Sequence, residues 1–202
     1  MDHARSPCAA GSSADDRMSE YGEYREKSGI FIIAPIGGPT GERIAELHRA
    51  NDPCLLKLGK PHVTLIGSSG AGPVAAGTPP EEIRARLEPI TASTRPITVH
   101  FQPPTRFMQT EIVVLPLDPH GPLRELHERI KTSGLELSRP RFYFTPHVTL
   151  SLYRELPPPI RAKLLRERFA EPVVITEIQC HLTRSTGESS HLLTLQLSVP
   201  AV

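Results

Sequence analysis

The pentapeptide Pro-His-Val-Thr-Leu occurs twice in this chain, at residues 61–65 and again, letter for letter, at residues 146–150. Its two histidines, His62 and His147, are 85 positions apart in a chain of 202 residues. With ordinary residue frequencies, an identical five-residue repeat arises by accident in on the order of one chain in a hundred. The repeat therefore indicates that the two halves of the chain form similar strands with the same function.

The letters of the repeat alternate between polar and apolar, which is typical of a β-strand with one buried face. On such a strand the valine and the leucine point into the core, while the histidine and the threonine share the opposite face, about 6.5 Å apart. If an approximate twofold axis relates the two halves, both polar faces line one cleft from opposite sides. The repeat thus predicts four catalytic residues: His62, Thr64, His147 and Thr149.

These residue types suit the hydrolysis of a phosphodiester. One histidine can take a proton from water while the other gives a proton to the departing oxygen, because imidazole titrates near neutral pH. Threonine hydroxyls can donate hydrogen bonds to the non-bridging oxygens, where negative charge accumulates. The working hypothesis makes His147 the general base and His62 the general acid, and the reverse assignment stays open. This chemistry requires neither a metal nor a cofactor, and we expect none.

The rest of the chain predicts an α+β fold. From residue 29 onward, apolar runs and amphipathic stretches follow one another as strand, helix, strand, helix, strands, helix, strand, helix, strands. The first two helices are expected to have Thr40 and Thr78 as N-caps, and residues 173–183 are expected to form one strand. Residues 1–27 are small and charged, without periodicity, which is typical of a disordered tail. Residues 28–202 are expected to form a single bilobal domain.

Composition narrows the class of protein. Lys and Arg number 23 against 22 Asp and Glu, so the net charge of +1 offers no excess to hold a long duplex or a membrane surface. No apolar stretch of the sequence has the length of a signal peptide or a membrane span. The three cysteines, Cys8, Cys54 and Cys180, have no ligand-like spacing and suit a reducing compartment. We expect a cytoplasmic monomer.

A third His-x-Thr occurs at His181 and Thr183, in a predicted closing strand. It lacks the preceding proline and the following leucine of the repeat, so it is assigned a structural role. Histidines without a comparable context are assigned to surface or packing positions: His100, His120, His127 and His191.

The duplicated motif resembles the signature of the two-histidine (2H) phosphoesterase family, a pair of His-x-Thr/Ser motifs flanked by hydrophobic residues in a duplicated chain. The resemblance covers residues 29–199, and the chain is most similar to the cyclic phosphodiesterases also called 2′-5′ RNA ligases. It implies a bilobal duplicated fold, with two mainly antiparallel sheets flanking a central cleft and helices outside. It also implies metal-independent hydrolysis of a 2′,3′-cyclic phosphate, with the end of an RNA or a nucleotide as the partner.

Other functions fit the same motifs and stay open. Three are enzymatic: joining RNA ends through a 2′-5′ bond, hydrolysis of cyclic oligonucleotides, and hydrolysis of ADP-ribose cyclic phosphate. The fourth is a module that binds RNA ends without turnover.

Basic and aromatic residues near the motifs are candidates for substrate contacts. Lys and Arg attract a phosphate, and an aromatic ring can stack on a base. If the second repeat strand stays regular, alternation predicts that Ser151 and Tyr153 follow Thr149 on the cleft face. The predicted substrate-binding residues are Lys60, Arg106, Phe107, Arg141, Tyr143 and Tyr153.

Overall fold

The computed structural model describes residues 28–67, 69–107, 110–118, 120–140, 142–152, 156–184 and 189–198. The predicted tail, residues 1–27, lies outside the described residues. Within the described ranges, no helix is both long and apolar enough to cross a membrane.

Strands and helices alternate along these ranges as an α+β protein. The strands are β1 (Gly29–Pro35), β2 (His62–Ile66), β3 (Ile97–Phe101), β4 (Thr105–Arg106), β5 (Val113–Asp118), β6 (His147–Ser151), β7 (Val173–Ile175), β8 (Glu177–Thr183) and β9 (Ser189–Gln196). The helices are α1 (Gly38–Asn51), α2 (Pro80–Ala92), α3 (His120–Lys131) and α4 (Pro158–Arg166). A 3₁₀ helix, Pro53–Leu58, connects α1 to β2.

The strands form one antiparallel sheet in the order β7-β3-β5-β6-β2-β1-β8-β9, with β4 beside β5. The two repeat strands, β2 and β6, are neighbours at its centre, where Val63 lies opposite Val148. The prediction of two sheets in separate lobes is therefore not confirmed, because the described strands join in a single hydrogen-bonded order. On both sides of the centre, the next neighbour of the repeat strand is nevertheless the strand that precedes it in the chain, β1 beside β2 and β5 beside β6.

The sheet is strongly curled. Strands β7 and β8 pair with β3 and β1, on opposite sides of the centre, yet only Thr176 separates them in the chain. One residue spans at most about 3.6 Å, so the sheet must bend until these two strands meet. The single strand predicted over residues 173–183 is thus divided between the two halves of the sheet.

The core lies on the helical face of the sheet. Val63, Leu65, Val148 and Leu150 are at most 1% exposed, as the alternation of the repeat predicts. Helix α1 packs on β6 and helix α3 packs on β2, so each helix covers the repeat strand of the other half. The histidines and threonines of the repeat lie on the opposite, concave face.

The predicted helix starts are each displaced by a proline. Helix α1 has Gly37 as its N-cap, with Pro39 in the first turn, so Thr40 lies inside the helix. Helix α2 has Pro79 as its N-cap and Pro80 as its first residue, so Thr78 lies outside it. Proline at the first helical positions fixes φ near the helical value and needs no hydrogen bond there, so these helices begin without a side-chain cap.

The centre of the sheet should be sensitive to loss of side-chain volume. Val63→Ala and Val148→Ala should each lower the free energy of unfolding by about 2 kcal/mol, because two buried methyl groups are replaced by a cavity. The double variant should deviate from additivity, since the two residues are in contact. Urea denaturation measures these values, with Val174→Ala as the control because Val174 is 52% exposed. Equal urea midpoints for the central variants and the control would contradict the assigned register.

Candidate active site

The two repeats meet at one cavity of about 190 Å³ on the concave face. His62, Thr64, His147 and Thr149 all line it. Strands β2 and β6 are antiparallel, and Val63 lies opposite Val148. His62 therefore lies opposite Thr149, and Thr64 lies opposite His147. The two pairs were expected to face each other across a cleft, but they stand side by side on adjacent strands.

This register places the four side chains at the corners of a small quadrilateral. Directly opposed residues on antiparallel strands have Cβ atoms roughly 5 Å apart, and diagonal neighbours roughly 7–8 Å apart. The two histidines occupy one diagonal and the two threonines the other. A group bound over the centre can therefore be reached by an imidazole on each side and by a hydroxyl on each remaining side.

Each of the two candidate histidines forms the same hydrogen bond, from Nδ1 to the carbonyl oxygen two residues earlier in the chain. Nδ1 of His62 is 2.7 Å from the carbonyl oxygen of Lys60, and Nδ1 of His147 is 2.6 Å from that of Thr145. A carbonyl only accepts hydrogen bonds, so Nδ1 carries the proton and donates in both rings. The neutral rings are thereby fixed with Nε2 unprotonated, as a general base requires.

Burial controls the charge on these two histidines. Desolvation lowers the pKa of His62 below its ordinary value of 6.5, and the hydrogen bond to the Lys60 carbonyl only partly opposes it. Desolvation also lowers the pKa of His147, and the nearby His62 lowers it further. Both rings are therefore neutral at pH 7 when the cavity holds no ligand.

The hydroxyls of Thr64 and Thr149 are half-buried in the cavity wall. Among the described residues, neither hydroxyl hydrogen-bonds to another protein group, so both are available to a ligand. Gly67 keeps Thr64 in place, because a Cβ at that position would lie 2.6 Å from Thr64 Cγ2 and 2.7 Å from the Phe31 ring. A side chain at residue 67 would displace one or both.

Two buried histidines, one on each of two helices, hydrogen-bond to the backbone of the repeat strands. His48 of α1 is 3% exposed and donates from Nε2 to the Thr149 carbonyl oxygen at 2.9 Å. His127 of α3 is fully buried, donates from Nδ1 to the Leu65 carbonyl oxygen at 2.7 Å, and stacks on the Phe144 ring at 4.0 Å. Each helix thus binds the repeat strand that belongs to the other half.

His127 has the packing role that the sequence predicts, whereas His48 was not identified. The available signal was its helical spacing, since His48 follows Ile44 by four positions and Leu47 by one on the buried face of α1. A histidine there is indistinguishable from an ordinary core residue until the partner strand is known.

The end of α1 makes a further contact with β6. Asp52 is 2% exposed, and its Oδ2 accepts a hydrogen bond of 2.7 Å from the Leu152 backbone. The same oxygen lies 3.4 Å from the Ser151 hydroxyl, which is buried. Ser151 therefore does not continue the cleft face, because a register shift between Val113 and Val114 interrupts the regular alternation of β6 on which that expectation depended.

The predicted substrate-binding residues have different locations. Lys60 and Phe107 line the cavity, and the Phe107 ring is 4.8 Å from the His147 ring. Arg106 is bonded instead to Glu111 at 2.6 Å, and Tyr143 is 89% exposed and does not line the cavity. Arg141 and Tyr153 lie outside the described residues. Further residues that line the cavity include Phe31, Leu55, Leu58, Ile112, Arg139 and Phe142.

Arg106 of β4 is part of an ion pair network. Glu111 binds both Arg106 and Arg161 of α4, and Arg106 also donates to the Thr110 carbonyl oxygen at 2.8 Å. This network holds the connection between β4 and β5, which places Phe107 beside His147. Among the described residues, no group of three or more His, Cys, Asp or Glu side chains is arranged to hold a metal ion.

Comparisons with known proteins give matches to this chain in sequence and in fold. The sequence model of the 2′-5′ RNA ligase superfamily matches residues 36–187. The Geobacillus kaustophilus protein named "Putative phosphoesterase GK0864" is 34% identical over 132 residues, which cover 65% of this chain and 70% of that protein.

Solved structures show the same fold at low sequence identity. The structure of Escherichia coli LigT complexed with NADP⁺ superposes with a TM-score of 0.52 at 19% identity, covering 86% of this chain and 99% of LigT. LigT complexed with 3′-AMP gives 0.50 at 16% identity over the same shares. A protein described only as a phosphoesterase gives 0.52 at 17% identity, again with 86% and 99% covered.

The bond from His48 to β6 should matter for turnover as well as stability. His48→Leu leaves the Thr149 carbonyl without its donor in a buried place, so the free energy of unfolding should fall by about 1–3 kcal/mol. His48→Gln keeps a donor near the position of Nε2 and should recover most of that loss. On a phosphodiester that the wild type hydrolyses, His48→Leu should lower kcat about tenfold with little change in KM, because Thr149 is displaced rather than removed.

The matched control is His100→Leu on β3, where the histidine is exposed and, among the described residues, has no side-chain hydrogen bond. Equal activity for His48→Leu and this control, or failure of His48→Gln to recover activity, would show that the bond does not position β6.

Proposed function

Because the chain belongs to the 2′-5′ RNA ligase superfamily of 2H phosphoesterases, we propose that it hydrolyses 2′,3′-cyclic phosphates at the ends of RNA or nucleotides. The observation that carries the proposal is the quadrilateral formed where Val63 lies opposite Val148. It presents two imidazoles and two hydroxyls to one small group. Hydrolysis of a cyclic phosphate can use all four, the imidazoles for proton transfer and the hydroxyls for hydrogen bonds to the phosphate oxygens.

The reaction uses the two Nε2 atoms. His147 Nε2 takes a proton from water as the water oxygen bonds to phosphorus. The His62 ring first takes a second proton, at Nε2, from solvent. The bond from phosphorus to one ribose oxygen then breaks, and His62 gives that oxygen its Nε2 proton. The product is a ribose monophosphate with one free hydroxyl, and His147 holds the proton that His62 has lost. The near-symmetric surroundings of the two rings equally support the reversed roles.

The threonines supply the stabilisation of the phosphate. Negative charge grows on the non-bridging oxygens as water adds, and hydroxyl donors aimed at those oxygens lower the barrier. Thr64 and Thr149 lie on the diagonal that the histidines leave open, so each can donate to a different non-bridging oxygen. Lys60 and Arg139 at the rim add positive charge for a phosphate-bearing ligand.

The size and lining of the cavity favour a nucleotide end over a larger ligand. A volume of about 190 Å³ lies below the roughly 300–1,000 Å³ of sites that enclose drug-sized molecules. Phe107 and Phe142, with ring centroids 6.0 Å apart, offer aromatic surface for a base beside His147. LigT, which shares the fold, has been solved with 3′-AMP, and this supports a nucleotide as ligand here.

Removal of either histidine tests the reaction. His62→Ala and His147→Ala should each lower kcat for a 2′,3′-cyclic nucleotide by roughly 10²-fold or more, with a smaller effect on KM. The assay contains EDTA, so that the expected metal independence is tested together with the reaction class. His100→Ala is the control, because His100 is exposed and does not line the cavity.

A substrate panel separates the rival functions. It includes cyclic mononucleotides, oligoribonucleotides with cyclic ends, cyclic oligonucleotides, ADP-ribose cyclic phosphate, and cleaved RNA with a free 5′ hydroxyl to detect 2′-5′ joining. Turnover confined to another panel member would replace the proposed substrate. Binding without turnover, or near-normal rates in both histidine variants, would overturn the mechanism.

The pH dependence of kcat/KM should be shifted towards acid. The general base works only above its pKa and the general acid only below its own, so kcat/KM peaks between the two values. Because burial lowers the pKa of both His62 and His147, the maximum should fall below pH 6.5 and the rate should decline through neutrality. Measuring kcat/KM with a cyclic mononucleotide from about pH 4 to pH 9 tests this. A rate that climbs steadily above pH 7 would contradict it.

A further inference from the structure

The concave face continues beyond the cavity onto β8. Strand pairing places Thr64 and Gln179 on either side of Ile33, and His181 opposite Phe31. Directly paired residues of an antiparallel sheet point to the same face, so these side chains share the face of the candidate active site. Two strand spacings separate β8 from β2, which is about 10 Å. Phe31 lines the cavity and adjoins His181, so the two regions are continuous.

Three side chains on β8 form a hydrogen-bonded row. Gln179 donates from Nε2 to Glu177 Oε1 at 2.7 Å, and Gln179 Oε1 is 3.0 Å from His181 Nε2. The other oxygen of Glu177 accepts from Gln196 of β9 at 2.9 Å. We call Glu177, Gln179 and His181 the β8 row.

The row fixes the hydrogen-bonding character of His181. The carboxylate of Glu177 only accepts, so the amide of Gln179 must turn its NH₂ group to Glu177 and its oxygen to His181. His181 must then donate from Nε2, which leaves Nδ1 as an acceptor. Burial, together with His191 and His62 nearby, lowers the pKa of His181 to about 4, so this acceptor is uncharged at pH 7.

The equivalent position on the other side of the sheet, that of His100 on β3, has different surroundings. His100 of β3 is also two strands from a repeat strand, and it pairs with Asp118 on the concave face. Among the described residues, His100 makes no side-chain hydrogen bond, and it is exposed. Of these two positions, the one on β8 therefore carries a hydrogen-bonded row of polar side chains beyond the cavity that the repeats share.

We propose that the β8 row is a second nucleotide subsite, which binds the nucleotide preceding the one that carries the cyclic phosphate. The inference rests on the proposed function and specifies its substrate as an RNA end rather than a free cyclic mononucleotide. An uncharged acceptor and fixed amide and carboxylate groups match ribose hydroxyls and base edges, which both donate and accept. They do not match a phosphate, which needs donors or positive charge.

The test compares two substrates on the same enzyme: a 2′,3′-cyclic mononucleotide and a dinucleotide that ends in the same cyclic nucleotide. Wild type should have a kcat/KM for the dinucleotide about tenfold higher, as one or two additional hydrogen bonds provide. Gln179→Leu and His181→Leu should remove this preference and leave kcat/KM for the mononucleotide within about twofold. His100→Leu, the matched control, should leave both values unchanged.

The outcomes separate the two proposals. No turnover of either substrate by wild type overturns the proposed function, whereas turnover with no preference, or equal losses on both substrates, overturns only the subsite. If a row variant fails to fold, NMR of the wild-type protein gives the same test. The imidazole signals of His181 should shift on addition of a dinucleotide 3′-phosphate and not of the mononucleotide 3′-phosphate, while those of His100 stay fixed. Equal shifts from both ligands would overturn the subsite.

Discussion

The pairing of Val63 with Val148 is the constraint on which the rest of the molecule depends. It joins two strands that are distant in sequence at the centre of the sheet and fixes which polar residues become neighbours. A slip of one residue would turn the histidines and threonines of one strand into the core. Burial of the valines, at 0% and 1% exposure, opposes that slip, so core packing determines the geometry of the site.

The two halves are interdependent because each one holds the other's repeat. His48 bonds to β6 and His127 bonds to β2, while the chain from β7 to β8 crosses between the two sides of the sheet through Thr176. Either half alone would leave one repeat strand without its helix and its buried donor. The concave surface is therefore a property of the whole curled sheet, and neither half can form the quadrilateral by itself.

The sequence was sufficient to predict that the histidines and threonines of the repeats line one cavity, because alternation and repetition are local properties. The side-by-side arrangement of the repeats was not predictable in this way, since it depends on which distant strands pair. His48 was missed for a related reason: its role lies in a bond to Thr149, 101 positions away. For Arg106, the sequence indicated a phosphate contact because of the charge near the motifs. In the fold, Glu111 lies beside Arg106 and forms an ion pair with it.

The near-symmetry of the two histidines raises the question of what would distinguish the general acid from the general base in the proposed reaction. Both rings donate from Nδ1 to a carbonyl two residues earlier, so their protein contacts do not distinguish acid from base. The surroundings differ further out, with the Phe107 ring against His147 and the polar strand β8 beyond His62. A ligand with an aromatic base and a polar backbone meets different surroundings on these two sides, which favours one orientation over the other. In the proposed reaction, that orientation would determine which ribose oxygen faces each histidine, so the binding surface would assign the roles that the two histidines leave open.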